Sequence, residues 1–263
     1  MKQIFGINNY GCTCYINTTL QCLFNDVYFM KCLSRETPIQ SALMTIFESK
    51  NPNISSFLKM LNQKFGKNMF IYSQNDMHEF FLLLLDLLEN ESKQSTKPFI
   101  GKTISKIKCS CANECCNKEK FICINIDIKS NTKSFVNAID DYFKDNIPSW
   151  TCDKCNLTHK DIVKWSRVVR YPLTIPIVIK RFNAYGNKIT HPIDFVETFY
   201  LHGSEKYELK SIGCHTGCSR SGHYYAYVKN KMDWFIVDDE TIRQSNDIKK
   251  EDVYILFYTR CVI

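Results

Sequence analysis

Gly6-Ile-Asn-Asn-Tyr-Gly-Cys-Thr-Cys-Tyr-Ile-Asn-Thr-Thr-Leu-Gln21 begins with turn formers and becomes apolar at helical spacing. Gly6, Asn8, Asn9 and Gly11 favour a loop, and Ile16, Leu20, Leu23 and Phe24 then mark one helix face. Thr13 reads as the N-cap, so Cys14 opens the helix. Unpaired N–H groups and the helix dipole favour negative charge there, which stabilises a thiolate. Asn9, five residues earlier, carries an amide that can donate to a developing oxyanion if the loop folds back. The opposing reading makes Cys14 a buried filler, one of 14 cysteines in the chain. A nucleophile needs a base, so the rest of the chain decides.

The 263 residues suffice for a full core. A hydrophobic share of 44% and a charged share of 23% describe a globular protein. The net charge of +7 comes from scattered Lys and Arg, a solvated surface rather than a nucleic-acid stripe. Met1-Lys2-Gln3-Ile4-Phe5 has no signal-peptide pattern, and the apolar run Phe80 to Leu85 is too short to span a bilayer. The expectation is a soluble intracellular chain, cytoplasmic or nuclear and without a membrane partner. Its cysteines would stay reduced there, so close pairs point to metal binding or catalysis.

The first hundred residues read as helical. Pro38 starts one helix, residues 54–65 form another, and Ser73-Gln-Asn-Asp76 resembles a capping box ahead of Met77 to Leu88. That last segment is apolar nearly all round, hence buried. After Pro98 the period becomes alternating: Phe121 to Ile128 has Ile at every second position. A helix carrying Phe135, Ile139, Tyr142 and Phe143 interrupts, and strands follow at about 162–170, 174–182, 207–213, 223–230, 233–238 and 253–259. The plan is α+β, a helical half against a mostly antiparallel sheet half with a cleft between them.

The C-terminal half supplies a base. Gly213-Cys-His-Thr-Gly-Cys-Ser-Arg-Ser-Gly-His223 reads as a loop feeding the strand Tyr224 to Val228. His223 stands where loop becomes strand, with Gly222 allowing close backbone approach. Trp234-Phe-Ile-Val-Asp-Asp239 ends the next strand in two carboxylates. A hairpin would bring Asp238 to His223, fixing its tautomer and supporting a thiolate–imidazolium pair. His215 competes for the base, and a packed or solvated role is the bland alternative for each of these residues.

These motifs together resemble the ubiquitin-specific proteases, papain-like cysteine deubiquitinases. Gly6 to Asn17 is similar to their Cys box, and Gly222-His-Tyr-Tyr-Ala-Tyr-Val228 with Trp234-x-x-x-Asp-Asp239 is similar to their His box. Ser73-Gln-Asn-Asp-Met-His-Glu-Phe80 resembles their Gln-Gln-Asp-x-x-Glu-Phe segment, and Val178-Ile-Lys-Arg-Phe182 their strand ending in Lys-Arg-Phe. The matches fall in family order from residue 6 to 239. The resemblance implies one catalytic domain: a helical thumb at about 1–98, zinc-ribbon-like fingers at about 99–171 and an antiparallel palm at about 172–263. It implies Cys14 as nucleophile, Asn9 as oxyanion donor, His223 as base then acid, and Asp238 as its orienter with Asp239 in reserve. Asp76 and Gly222 would bind substrate. The reaction implied is thiol-dependent hydrolysis after the C-terminal Gly of ubiquitin, by a monomer. A protease for another ubiquitin-like modifier and a non-catalytic ubiquitin-binding module stand as alternatives. A nucleic-acid zinc ribbon leaves Cys14, His223 and Asp238 unexplained. Cys12 and Asn75 depart from the family pattern, and the loops between Arg181 and His223 are short.

Cys152-Asp-Lys-Cys155 is a Cys-x-x-Cys pair, and Cys109-Ser-Cys-Ala-Asn-Glu-Cys-Cys116 lies upstream. Two cysteine pairs at hairpin tips suit a tetrahedral structural zinc. The resemblance, whose fingers often carry zinc, favours Cys109 and Cys115 with Cys152 and Cys155. Cys111 or Cys116 could replace either upstream ligand.

Overall fold

The computed structural model describes residues 4–65, 73–127, 134–218 and 221–261. Met1 to Gln3, Ile128, Ser219 and Arg220 are among the residues outside it. Helices come first: α1 (Cys14–Phe24), α2 (Val27–Cys32), α3 (Pro38–Glu48), α4 (Ser55–Phe65) and α5 (Met77–Glu91). Every residue of α1 is buried, polar ones included, because sheet and helices enclose it. Asp26 caps α2, accepting from the N–H groups of Tyr28 and Phe29.

Strands β1 (Gly101–Lys108), β2 (Glu114–Phe121), β4 (Lys144–Thr151) and β5 (Thr158–Arg170) form a four-stranded sheet in the order β2-β1-β5-β4. The larger sheet holds β3 (Ile124–Asp127), β6 (Thr174–Lys180), β7 (Thr198–Leu201), β8 (Glu205–Gly217), β9 (Gly222–Asn230), β10 (Asp233–Asp238), β11 (Thr241–Gln244) and β12 (Val253–Arg260). Its order is β11-β10-β9-β8-β12-β6-β3, with β7 on β8. Its pairs are antiparallel except β3 with β6. Within 99–171, β3 and helix α6 (Phe135–Tyr142) thus join the large sheet rather than the ribbon.

The large sheet is covered on both faces. Ala226, Val228, Ile255 and Phe257 meet Ile16, Leu20, Leu84 and Phe81 of the helical half. Ile177, Leu209, Tyr227 and Leu256 meet Phe135 and Ile139 of α6 on the other side. Residues 253–259 of β12 are all buried as a result, so this central strand reads as a continuous apolar run. A buried side chain of this size contributes about 1.5–3 kcal/mol. Arg181 is also fully buried. It donates to the carbonyls of Val253, Ile189, His191 and Lys250, tying two loops to the end of β6. Among the described residues no helix is long and apolar enough to cross a membrane.

Three expectations change. Asp76 itself caps α5, accepting from His78 and Glu79, so the box drawn from Ser73 sits one turn early. Gly213 to Gly217 is strand, paired with β9, and not loop. The run from Phe121 divides into the end of β2 and β3.

Candidate active site and metal centre

The loop before α1 is sewn from its own side chains. The Thr13 N–H donates to Asn9 Oδ1 at 3.1 Å, and the Tyr10 N–H donates to Thr13 Oγ1 at 2.9 Å. Thr13 is the N-cap by position, but its hydroxyl serves this loop and makes no helix-capping bond. Gly11 sits at φ 102°, the left-handed region that favours glycine. The loop is also bound to the far end of the chain. The Ile7 N–H donates to Asp239 O at 2.9 Å, and a Cβ on Gly6 would stand 2.4 Å from Glu240 O. Cys14 is thereby set, buried, at the start of α1, where the first-turn N–H groups have no intrahelical acceptor.

His223 is the second residue of β9 and Asp238 the last of β10. The strands pair as far as Val237 with Ala226, which brings Asp238 Oδ1 to 2.5 Å from His223 Nε2. Nδ1 remains for the hydrogen bond between His223 and the Cys14 thiol. That bond raises the imidazole to about 9; partial burial opposes it and Asp238 adds to it. A thiol, an imidazole and a carboxylate in series can form a thiolate–imidazolium pair.

Asp239, expected in reserve for Asp238, has a carboxylate oxygen within 4.8 Å of a His223 ring nitrogen. Its φ of 48° turns the backbone after β10. Its carboxylate accepts from Asn9 Nδ2 at 2.8 Å and from Asn17 Nδ2 at 2.7 Å. Burial raises its pKa, and the two asparagine bonds counter that. Asn9 is thus fixed at both ends of its amide, with one N–H left beyond the Asp239 bond. Sequence reasoning did not single out Asn17, which also donates to Ile7 O at 3.1 Å. The signal for it is a polar residue on the apolar first turns of α1.

The two expected substrate-binding residues lie beside this centre. One oxygen of Asp76 caps α5. The other accepts from the hydroxyls of Tyr224 at 3.3 Å and Tyr254 at 2.5 Å. Gly222 exchanges two bonds with the Gln74 amide: its N–H donates to Oε1 at 3.1 Å, and its carbonyl accepts from Nε2 at 2.9 Å. His215, the rival base, is buried against Phe182, Tyr224 and Tyr254. Burial first and then Lys188 lower it to about 4. It is a neutral packing group, and a Cβ on Gly222 would lie 2.1 Å from its Nε2.

At the far tip of the ribbon, Cys109, Cys111, Cys152 and Cys155 converge, their sulfurs within 4.8 Å of one another. Cys115, expected as a ligand, is instead exposed on β2 opposite Ile107, and Cys116 is exposed beside it. Cys111 takes the position because Ala112, at φ 64°, reverses the chain between Cys109 and Asn113. The sulfurs lie 3.5 Å apart for Cys109–Cys155 and 3.7 Å for Cys111–Cys152. A tetrahedron with metal–sulfur bonds of 2.3 Å has edges of about 3.8 Å, so this donor set fits zinc. Two nitrogens face the sulfurs, His159 Nε2 at 3.3 Å from Cys109 and Asn113 Nδ2 at 3.4 Å from Cys152.

The family model described as "Ubiquitin carboxyl-terminal hydrolase" matches residues 5–258. The probable ubiquitin carboxyl-terminal hydrolase 8 of Schizosaccharomyces pombe is 27% identical over 96% of this chain and 64% of its own length. Ubiquitin carboxyl-terminal hydrolase 25 of Arabidopsis thaliana is 28% identical over 97% of this chain and 47% of its own. The chain therefore spans about half to two thirds of these two relatives. Among solved structures, a SAGA DUB module of Ubp8 with Sgf11, Sus1 and Sgf73, bound to monoubiquitin, matches with a TM-score of 0.82. It covers 99% of this chain and 70% of that chain at 24% identity, a likeness of fold.

Proposed function

We propose that this chain, which belongs to the ubiquitin carboxyl-terminal hydrolase family, is a thiol isopeptidase that cleaves after the C-terminal glycine of ubiquitin. The observation that carries the reading is the series Cys14, His223 and Asp238, linked by hydrogen bonds across the boundary between helices and sheet. The relatives' names supply the substrate class.

The Cys14 thiolate attacks the glycine carbonyl carbon, and its electron pair forms the C–S bond. Negative charge moves to the carbonyl oxygen, toward the free N–H of Asn9 and the N-terminal N–H groups of α1. As the C–N bond breaks, the His223 imidazolium gives its proton to the leaving lysine amine. Water then attacks the thioester, and His223 takes its proton. The C–S bond breaks and restores the thiolate–imidazolium pair, and the carboxylic acid product gives its remaining proton to solvent and leaves as the ubiquitin carboxylate. Asp238 holds the imidazole through both half-reactions.

Cys109, Cys111, Cys152 and Cys155 would hold a zinc ion. Four thiolates leave no open position for water, so the metal would fasten the ribbon tip without taking part in the chemistry.

Ubiquitin carrying a thiol-reactive group at its C-terminus tests the reading. The native chain should be labelled and Cys14→Ala should not, while Cys14→Ala still binds ubiquitin. Labelling that survives Cys14→Ala, or no labelling of the folded, reduced native chain, would overturn it.

A further inference from the structure

The seam between the helical half and the large sheet carries a contact that the mechanism above does not use. Gln74 lies in the segment leading into α5, and Gly222 lies 148 residues later at the start of β9. The register of β9 with β10 ends at Ala226, so the first residues of β9 extend beyond it. A primary amide offers one donor and one acceptor side by side, as a peptide does. Gln74 presents both to Gly222, and only one orientation of that amide satisfies both bonds.

The next residue points the other way. Asn75 Nδ2 donates to the Tyr15 hydroxyl at 3.0 Å. Tyr15 follows Cys14 in α1 and packs edge-on against Phe80 of α5, with ring centroids 5.4 Å apart. Gly222 precedes His223. Two adjacent residues thus grip the immediate neighbours of the thiol and of the imidazole, from opposite sides of the seam. Gly222 cannot yield backward, because His215 fills the space a side chain would need.

We infer that Gln74 and Asn75 are positioning residues, a two-residue bridge that sets the separation of Cys14 and His223. The bridge acts through Gly222 and Tyr15 and touches no reacting atom. The inference deepens the isopeptidase reading and rests on it for substrate turnover, but its geometry can be read on the free protein.

The test compares the native chain with Gln74→Met, which keeps the length and loses both bonds, and with Asn75→Ala. Cys14 alkylation by iodoacetamide at about pH 6 reports thiolate paired with imidazolium, because an unpaired thiol is protonated there. Mass spectrometry at Cys14 separates it from the other cysteines. Each variant should slow Cys14 alkylation about threefold to tenfold, the size of a net hydrogen bond or two. Each should lower kcat on a fluorogenic ubiquitin substrate by a similar factor, with little change in KM or melting temperature. Native alkylation rates in both variants would overturn the bridge. A rise in kcat/KM for Gln74→Met would also overturn it, by showing that Gln74 obstructs the cleft. Slower alkylation in variants of a chain that turns over no ubiquitin substrate would uphold the bridge and sink the substrate reading alone.

Discussion

The seam and the ribbon tip use sulfur in opposite ways. At the seam one thiol faces one imidazole, and the supporting groups arrive from residues 9, 17, 238 and 239. At the tip four thiols face one another. They sit in two turns folded by their own backbones, Cys109 N–H to Asn113 O and Cys152 N–H to Leu157 O. The seam forms only once helices and sheet have packed, and the apolar core between them keeps it closed. The tip has local turns but little buried apolar surface, since all of β2 but Phe121 is exposed and Leu157 is exposed as well. A cation would supply the cohesion that burial supplies at the seam.

The sharpest way to break that contrast is to remove a ligand at the tip. Cys111→Ser should lower metal affinity by more than the roughly 10–100-fold that an outer-sphere change costs. Cys115→Ser should leave one metal per chain. Metal content by mass spectrometry after competition with a chelator separates them. Equal loss from both variants would return Cys115 to the ligand set. Cys14 alkylation should stay near native in each, because the seam does not draw on the tip.

The next effect lies within the seam. Asn9→Ala should cost roughly a hundredfold in kcat, as loss of one oxyanion donor commonly does. Asp239→Ala should cost a comparable factor by releasing the amide it holds. The double variant should then be no worse than Asn9→Ala, since the carboxylate acts through the asparagine. If the two losses multiply, Asp239 has a separate role. Steady-state kinetics on the four proteins of the cycle would decide.

The same contrast governs what could be read from sequence. Seam residues are bound to local patterns: a loop opening a helix at Cys14, alternation leading to Asp238, a Gly before His223. Their order along the chain made the set legible. The partners of Asp239 were not legible, because a carboxylate at a strand end gives no sign of which asparagine it meets 222 or 230 residues away. Gly213 to Gly217 lacks apolar alternation, and its strand comes from pairing with β9 and from His215 N–H donating to Asp252 O. At the tip, Cys109-x-Cys111 makes no familiar spacing. It works because Ala112, a residue that seldom takes positive φ, does so here. The family resemblance favoured Cys115 over its alternative Cys111, whereas the sulfurs that converge are those of Cys109, Cys111, Cys152 and Cys155.

The smallest effect is the most diagnostic, because pH should loosen the two regions from opposite sides. His223 is raised from 6.5 to about 9, so its charged form is the one the fold favours. Its stabilising contribution is whole below about pH 6.5 and is lost as pH rises through about 9. The proton given to the leaving amine is lost over the same range, so kcat/KM should fall on an alkaline limb near pH 9. Asp238→Asn keeps the shape and removes a charge that raises His223, so the limb should move to lower pH. A limb that stays in place would mean that the Cys14 bond alone, the largest cause, sets the imidazole. The tip runs the other way: thiolate ligands must be deprotonated, so metal should leave as pH falls. Asp238→Asn should not alter that acid release, because Asp238 bonds to His223 and to none of the tip thiols. If one substitution moved both limbs, the seam and the tip would be coupled rather than independent uses of cysteine.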